Sequence, residues 1–92
     1  MKRYVIEREI PNIGGFDQAQ FCQAAAKSNA ALAQLNGQVQ WVYSYVVQNK
    51  TFCIYLSPNE ALVHEHARLS GFPVTRITEA TAVIDPTTAV PA

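Results

Sequence analysis

The residues best suited to chemistry are two histidines, two cysteines and a pair of carboxylates near the N-terminus. His64 and His66 stand two apart in a stretch with helical patterning. Side chains at i and i+2 of a helix point about 200° apart, so the two rings do not chelate one metal ion. His64 then reads as a surface residue and His66 as a hydrogen-bonded core residue. The functional alternative makes His66 a ligand or a base. Glu7 and Glu9 share one face of an expected strand, with Cβ atoms ~7 Å apart. Such a pair could hold a cation or act as acid and base. The favoured reading is that it is solvated, or paired with Arg3, Arg8, Arg68 or Arg76 at little energetic consequence. Cys53, in mid-strand, reads as a small buried residue unless Glu7, Tyr55 and a histidine converge on it. Cys22 reads as packing. The phenols of Tyr43, Tyr45 and Tyr55 need partners if buried, and around a cavity they would hydrogen-bond a small ligand. The chain has no P-loop, dinucleotide fingerprint, nucleophile elbow, zinc spacing or EF-hand loop.

These residues are carried by six elements. Residues 2 to 10 have the β-branched content and rough alternation of a strand. Tyr4, Ile6 and Ile10 lie on one face with Arg8 interrupting, and Val5, Glu7 and Glu9 lie on the other. Asp17 with Gln20 has the spacing of a capping box, and Phe16 with Phe21 that of a hydrophobic staple. The Ala-rich body from Gln18 to Asn36 predicts a helix with Phe21, Ala25, Leu32 and Leu35 inward and Ser28 or Asn29 between them. Asn36-Gly37 is its stop. Trp41 to Pro58 predicts a hairpin turning at Gln48-Asn49-Lys50. If all three residues lie in the turn, Tyr43 and Tyr45 share the face of Cys53 and Tyr55. If only Asn49-Lys50 does, Ser44 and Val46 fall there instead. Ser57, Pro58 and Glu60 have the pattern of an N-cap, N1 and N3, opening a second helix that ends at Gly71. Leu62, His66 and Leu69 mark its inner stripe, and Glu60, His64 and Arg68 an outer one. Val74 to Ile84 predicts a last strand, and residues 85–92 a frayed tail.

The order strand–helix–strand–strand–helix–strand predicts the ferredoxin-like βαββαβ fold over residues 1–84. Its four-stranded antiparallel sheet carries both helices on one face. Both faces of the strands are largely apolar, so the face without helices would be greasy and would suit a homodimer interface. At 92 residues the chain is one small domain whose lone core is thin. Seven basic and seven acidic side chains cancel, which argues against nucleic-acid binding and against electrostatic attachment to a membrane. No apolar run approaches the roughly 20 residues of a membrane span. No signal peptide or disulfide framework is legible, so a reduced, cytoplasmic setting is expected.

Three runs then point to a family. They are Trp41 with Ser44-Tyr45-Val46; Lys50-x-Phe52-Cys53-x-Tyr55-x-x-Pro58; and Glu65-His66-Ala67 with Gly71-Phe72-Pro73. Over about residues 2 to 84 the chain resembles a family of small bacterial proteins of unknown function that includes a nickel-binding member. The resemblance implies a ferredoxin-like dimer and nickel or another divalent metal. Ser44, Tyr45, Cys53, Tyr55 and His66 are the matching positions, with Glu7 on the first strand. The expectation is a homodimer that binds a divalent metal or a small ligand near the open sheet face. Glu7, Cys53 and His66 would serve as metal donors, and Ser44, Tyr45 and Tyr55 as ligand-binding groups. Imidazole, thiolate and carboxylate are all plausible nickel ligands. One alternative is a dimeric α/β-barrel enzyme or small-ligand binder with its site between two sheets. Another is a pure interaction module.

Overall fold

A computed structural model describes residues 1–91; Ala92, the end of the expected tail, lies outside the described residues. The elements are β1 (Lys2–Glu9), α1 (Gln18–Gln34), β2 (Gln40–Val46), β3 (Lys50–Ser57), α2 (Glu60–Ser70) and β4 (Arg76–Ala80). A short 3-10 turn, Ile13–Gly15, precedes α1, and another, Pro86–Ala89, follows β4. The sheet order is β2-β3-β1-β4 and every pairing is antiparallel. Ser28 of α1 and His66 of α2 both meet Tyr55, so both helices cover the same sheet face. This is the ferredoxin-like α+β fold.

The strand alternation sets the core. Tyr4, Ile6 and Arg8 of β1 and Thr51, Cys53, Tyr55 and Ser57 of β3 are buried beneath the helices. Val63 of α2, with Leu35 and Val39 from the segment between α1 and β2, completes one core cluster with Ile6 and Tyr55. Each fully buried aliphatic side chain here contributes roughly 1.5–3 kcal/mol. Helix α1 begins as its sequence requires. Asp17 Oδ1 accepts from the Gln20 amide at 2.8 Å and Gln20 Oε1 accepts from the Asp17 amide at 2.9 Å. The Phe16 and Phe21 rings meet at 5.9 Å.

The cap of α2 differs from the expected one. Ser57 is fully buried as the last residue of β3, paired with Lys2, and its hydroxyl donates to the Asn59 carbonyl at 2.7 Å. The cap passes to Asn59, whose Oδ1 accepts from the Leu62 amide. Asn is as good an N-cap as Ser, so the helix starts two residues later at no loss. The last strand is also shorter than expected. The Glu9 amide donates to Thr75 Oγ1, a side chain, so the ladder begins only at Arg76. It ends at Ala80 because Arg3, its partner, is near the start of β1.

The hairpin turn has two residues, Gln48 and Asn49, with Val47 N–H donating to the Lys50 carbonyl. Ser44 therefore pairs with Cys53 and Val46 with Thr51, while Tyr45 pairs with Phe52 on the other face. The turn is neither of the two expected ones, because Lys50 belongs to β3, but it gives the same facing as the Asn49-Lys50 alternative: Ser44 and Val46 lie on the Cys53 face. A bulge at Val42 then shifts the pairing so that Trp41 opposes Tyr55. The turn is held from outside the hairpin. Ile10 N–H donates to Asn49 O, Gly14 N–H to Gln48 O, and Asn12 N–H to Asn49 Oδ1, each at 3.0 Å. A Cβ on Gly14 would lie 2.8 Å from both Gln48 Cα and Val47 O, which is why glycine stands there.

Candidate functional site

The six residues picked out by sequence do not converge. Glu7 and Tyr45 are on the open sheet face; Ser44, Cys53, Tyr55 and His66 are on the helix side. A strand residue cannot reach through its own sheet, so one metal ion cannot be held by Glu7 together with Cys53 and His66 in one chain. Among the described residues no three His, Cys, Asp or Glu side chains cluster at metal-binding distance. The donors present in one chain therefore do not fit a nickel centre. Glu7 instead pairs with Lys50, its carboxylate 3.6 Å from Nζ. Lys50 also lies over the Phe52 ring, and Tyr43 stacks edge-on against Tyr45 at 5.2 Å.

The helix side brings together a different set. Space remains between α1 and the β2–β3 half of the sheet as a cavity of about 220 Å³. Ile13, Phe21, Ala24 and Ala25 wall it on one side, and Trp41 and Val46 on the other. Small Ala side chains on α1 leave this room. The sheet side carries the polar groups: Arg8, Ser44, Thr51, Cys53 and Tyr55, with Ser28 facing them from α1. Val46, 41% exposed, is the only exposed residue of the lining and marks its rim. Ser44 accepts a hydrogen bond from Trp41 Nε1 at 2.9 Å, which orients both. Cys53 Sγ lies 3.3 Å from Thr51 Oγ1.

Behind the pocket a hydroxyl joins the two helices to the sheet. Ser28 Oγ is 3.3 Å from Tyr55 OH and 3.2 Å from His66 Nε2. The His66 ring packs on Tyr55 with centroids 4.9 Å apart. Burial, with the Arg8 charge nearby, holds the His66 imidazole down to about 4. It is therefore neutral near pH 7, and its Nδ1 is buried without a partner. Burial also raises the Tyr55 phenol above its ordinary range, against the opposing pull of Ser28 and Arg8, so it remains neutral. His64 is exposed, as expected of the outer stripe.

Arg8 is the residue that the choice of candidates missed. It is 2% exposed, and its guanidinium lies 5.8 Å from the centroids of both Tyr55 and Phe72. Nη1 donates to the Pro73 carbonyl at 2.9 Å; Nη2 is buried with no partner. The signal was its position in the strand: it alternates with Tyr4, Ile6 and Ile10, so the period of 2 already put it on the apolar face.

A family model described as nickel responsive protein SCO4226-like matches residues 4–80. Among solved structures, a crystal structure of SCO4226 from Streptomyces coelicolor A3(2) superposes with a TM-score of 0.74 at 13% identity. That match covers 89% of this chain and 99% of the other. At that identity the likeness speaks for the fold. No curated protein matches the chain by sequence. No helix among the described residues is long and apolar enough to cross a membrane.

Proposed function

The chain belongs to the nickel responsive SCO4226-like family, and on that premise we propose that it works as a homodimeric small-ligand-binding protein. Its ligand enters the cavity between α1 and the β2–β3 side of the sheet. The observation that carries this reading is the cavity itself: apolar walls with a few polar groups on one side, the usual make-up of a small-molecule site. Ser44 and Tyr55, with Thr51 and Cys53 beside them, are the groups that would orient a ligand. Tyr45, on the opposite face, serves the dimer and not the pocket.

The homodimer reading rests on the open face. Tyr43, Tyr45, Phe52 and Ile54 stand together there, and Tyr45 is 59% exposed. An apolar patch of this kind on a small domain favours an interface. The pocket reading is tested by thermal denaturation of the full chain against a panel of small organic compounds, alongside Ala25→Leu, which narrows the cavity from α1. Binding by the parent and its loss in the variant are expected. Compounds that stabilise both proteins equally would sink the reading.

A second reading, response to a divalent metal, is favoured by the family description. Because one chain does not gather three donors, such a site would draw on both chains of a dimer, with Glu7 a carboxylate on the shared face. Calorimetric titration of tag-free protein with nickel tests it. Heat that disappears in Glu7→Gln supports it, and no heat with nickel rejects it.

A further inference from the structure

We infer that the ligand of this pocket is a small organic monocarboxylate whose charge is met by Arg8. The inference rests on the small-ligand reading above and names the class of ligand. A guanidinium is always charged in a protein, and burying it demands a compensating partner. Arg8 has none. The ion pairs among the described residues are Lys2 with Glu79, Lys50 with Glu7 and Arg68 with Glu65, and none involves Arg8. No Asp or Glu lines the pocket. The two aromatic rings beside the guanidinium offer cation–π attraction but no acceptor for the unspent Nη2 donors. A carboxylate is the acceptor whose planar geometry a guanidinium matches best.

The rest of the lining narrows the class. Arg8 is the only charged side chain in it, which suits one negative charge better than the two of a phosphate monoester. The walls of Ile13, Phe21, Ala25 and Val46 suit a hydrocarbon body. At about 220 Å³ the space falls below the roughly 300–1,000 Å³ of sites for drug-sized ligands, which limits the body to a short chain or a single ring. Thr51, the ladder partner of Arg8, and Ser44 line the same cavity, and their hydroxyls would take the remaining carboxylate lone pairs.

The test is calorimetry on the full chain with matched acids and alcohols: hexanoate against hexanol, and benzoate against benzyl alcohol, with inorganic phosphate as a third arm. At least one acid is expected to bind tenfold or more tightly than its alcohol. Arg8→Met, which keeps the length and loses the charge, is expected to bind acid and alcohol alike. If the alcohols bind as well as the acids, the carboxylate class is overturned while the pocket reading stands. If no acid, no alcohol and no phosphate binds, both fall. If phosphate alone binds, the class is wrong and the pocket takes inorganic anions. Should Arg8→Met fail to fold, the acid-to-alcohol ratio of the parent decides the matter, with Ala25→Leu expected to weaken both members of each pair.

Discussion

At Ser28 a single hydroxyl serves two buried partners, Tyr55 OH and His66 Nε2. Removing it leaves both without that bond in a water-poor site, and an orphaned buried polar group costs about 1–3 kcal/mol. Ser28→Ala is therefore expected to lower the unfolding free energy by an amount in that range, seen as a lower urea midpoint with the slope unchanged. His66 has a second consequence. Its folded value, about 4, lies below the ordinary 6.5, so between those two pH values the unfolded chain binds more protons than the folded one. Stability then falls as pH drops from about 6.5 toward 4, and that contribution is fully present above 6.5. Chemical denaturation at stepped pH checks this, and a curve flat across that window would refute it. The chemistry of the residue scale was half legible. Tyr55 and His66 were identified, and Arg8 was seen to interrupt an apolar face. Their convergence required that β1 and β3 lie side by side under both helices.

At the scale of elements, the loop before α1 and the hairpin turn hold each other. Gly14 packs its Cα against the backbone of Val47 and Gln48, where even one methyl group would collide. Gly14→Ala must push the turn away or distort it, and overpacking of this kind costs about 1–3 kcal/mol. The expected result is a lower melting temperature, with amide resonances of Val47 to Lys50 shifted more than those of α2. Helix boundaries that rest on local chemistry were legible: Asp17 and Gln20 cap α1 by their own side chains. The α2 cap was not, because Ser57 and Asn59 have similar capping ability. Pairing of Ser57 with Lys2, a contact between distant parts of the chain, decided between them.

For the whole molecule, the uncovered sheet face is the dominant unpaired feature. If two copies meet there, Tyr45→Asp places a charge in the contact without touching the helix-side core. Light scattering is expected to give a two-chain mass for the parent and a one-chain mass for the variant, with the circular dichroism unchanged. A one-chain mass for the parent at high concentration would remove the homodimer from the proposal.

Taken alone, the sequence determined the succession of elements, the ferredoxin-like fold and the start of α1. Those follow from periodicity, capping and glycine placement, which act within a few residues. Only the tertiary structure decided the hairpin alignment, and with it that Ser44 stands beside Cys53 while Tyr45 faces away. A slip of one residue reverses every side chain of a strand. What prevents it is a set of hydrogen bonds from Ile10, Asn12 and Gly14, more than thirty positions away in sequence. The same long-range assembly separated Glu7 from Cys53 and His66, and left Arg8 buried at the edge of a pocket with a donor unspent.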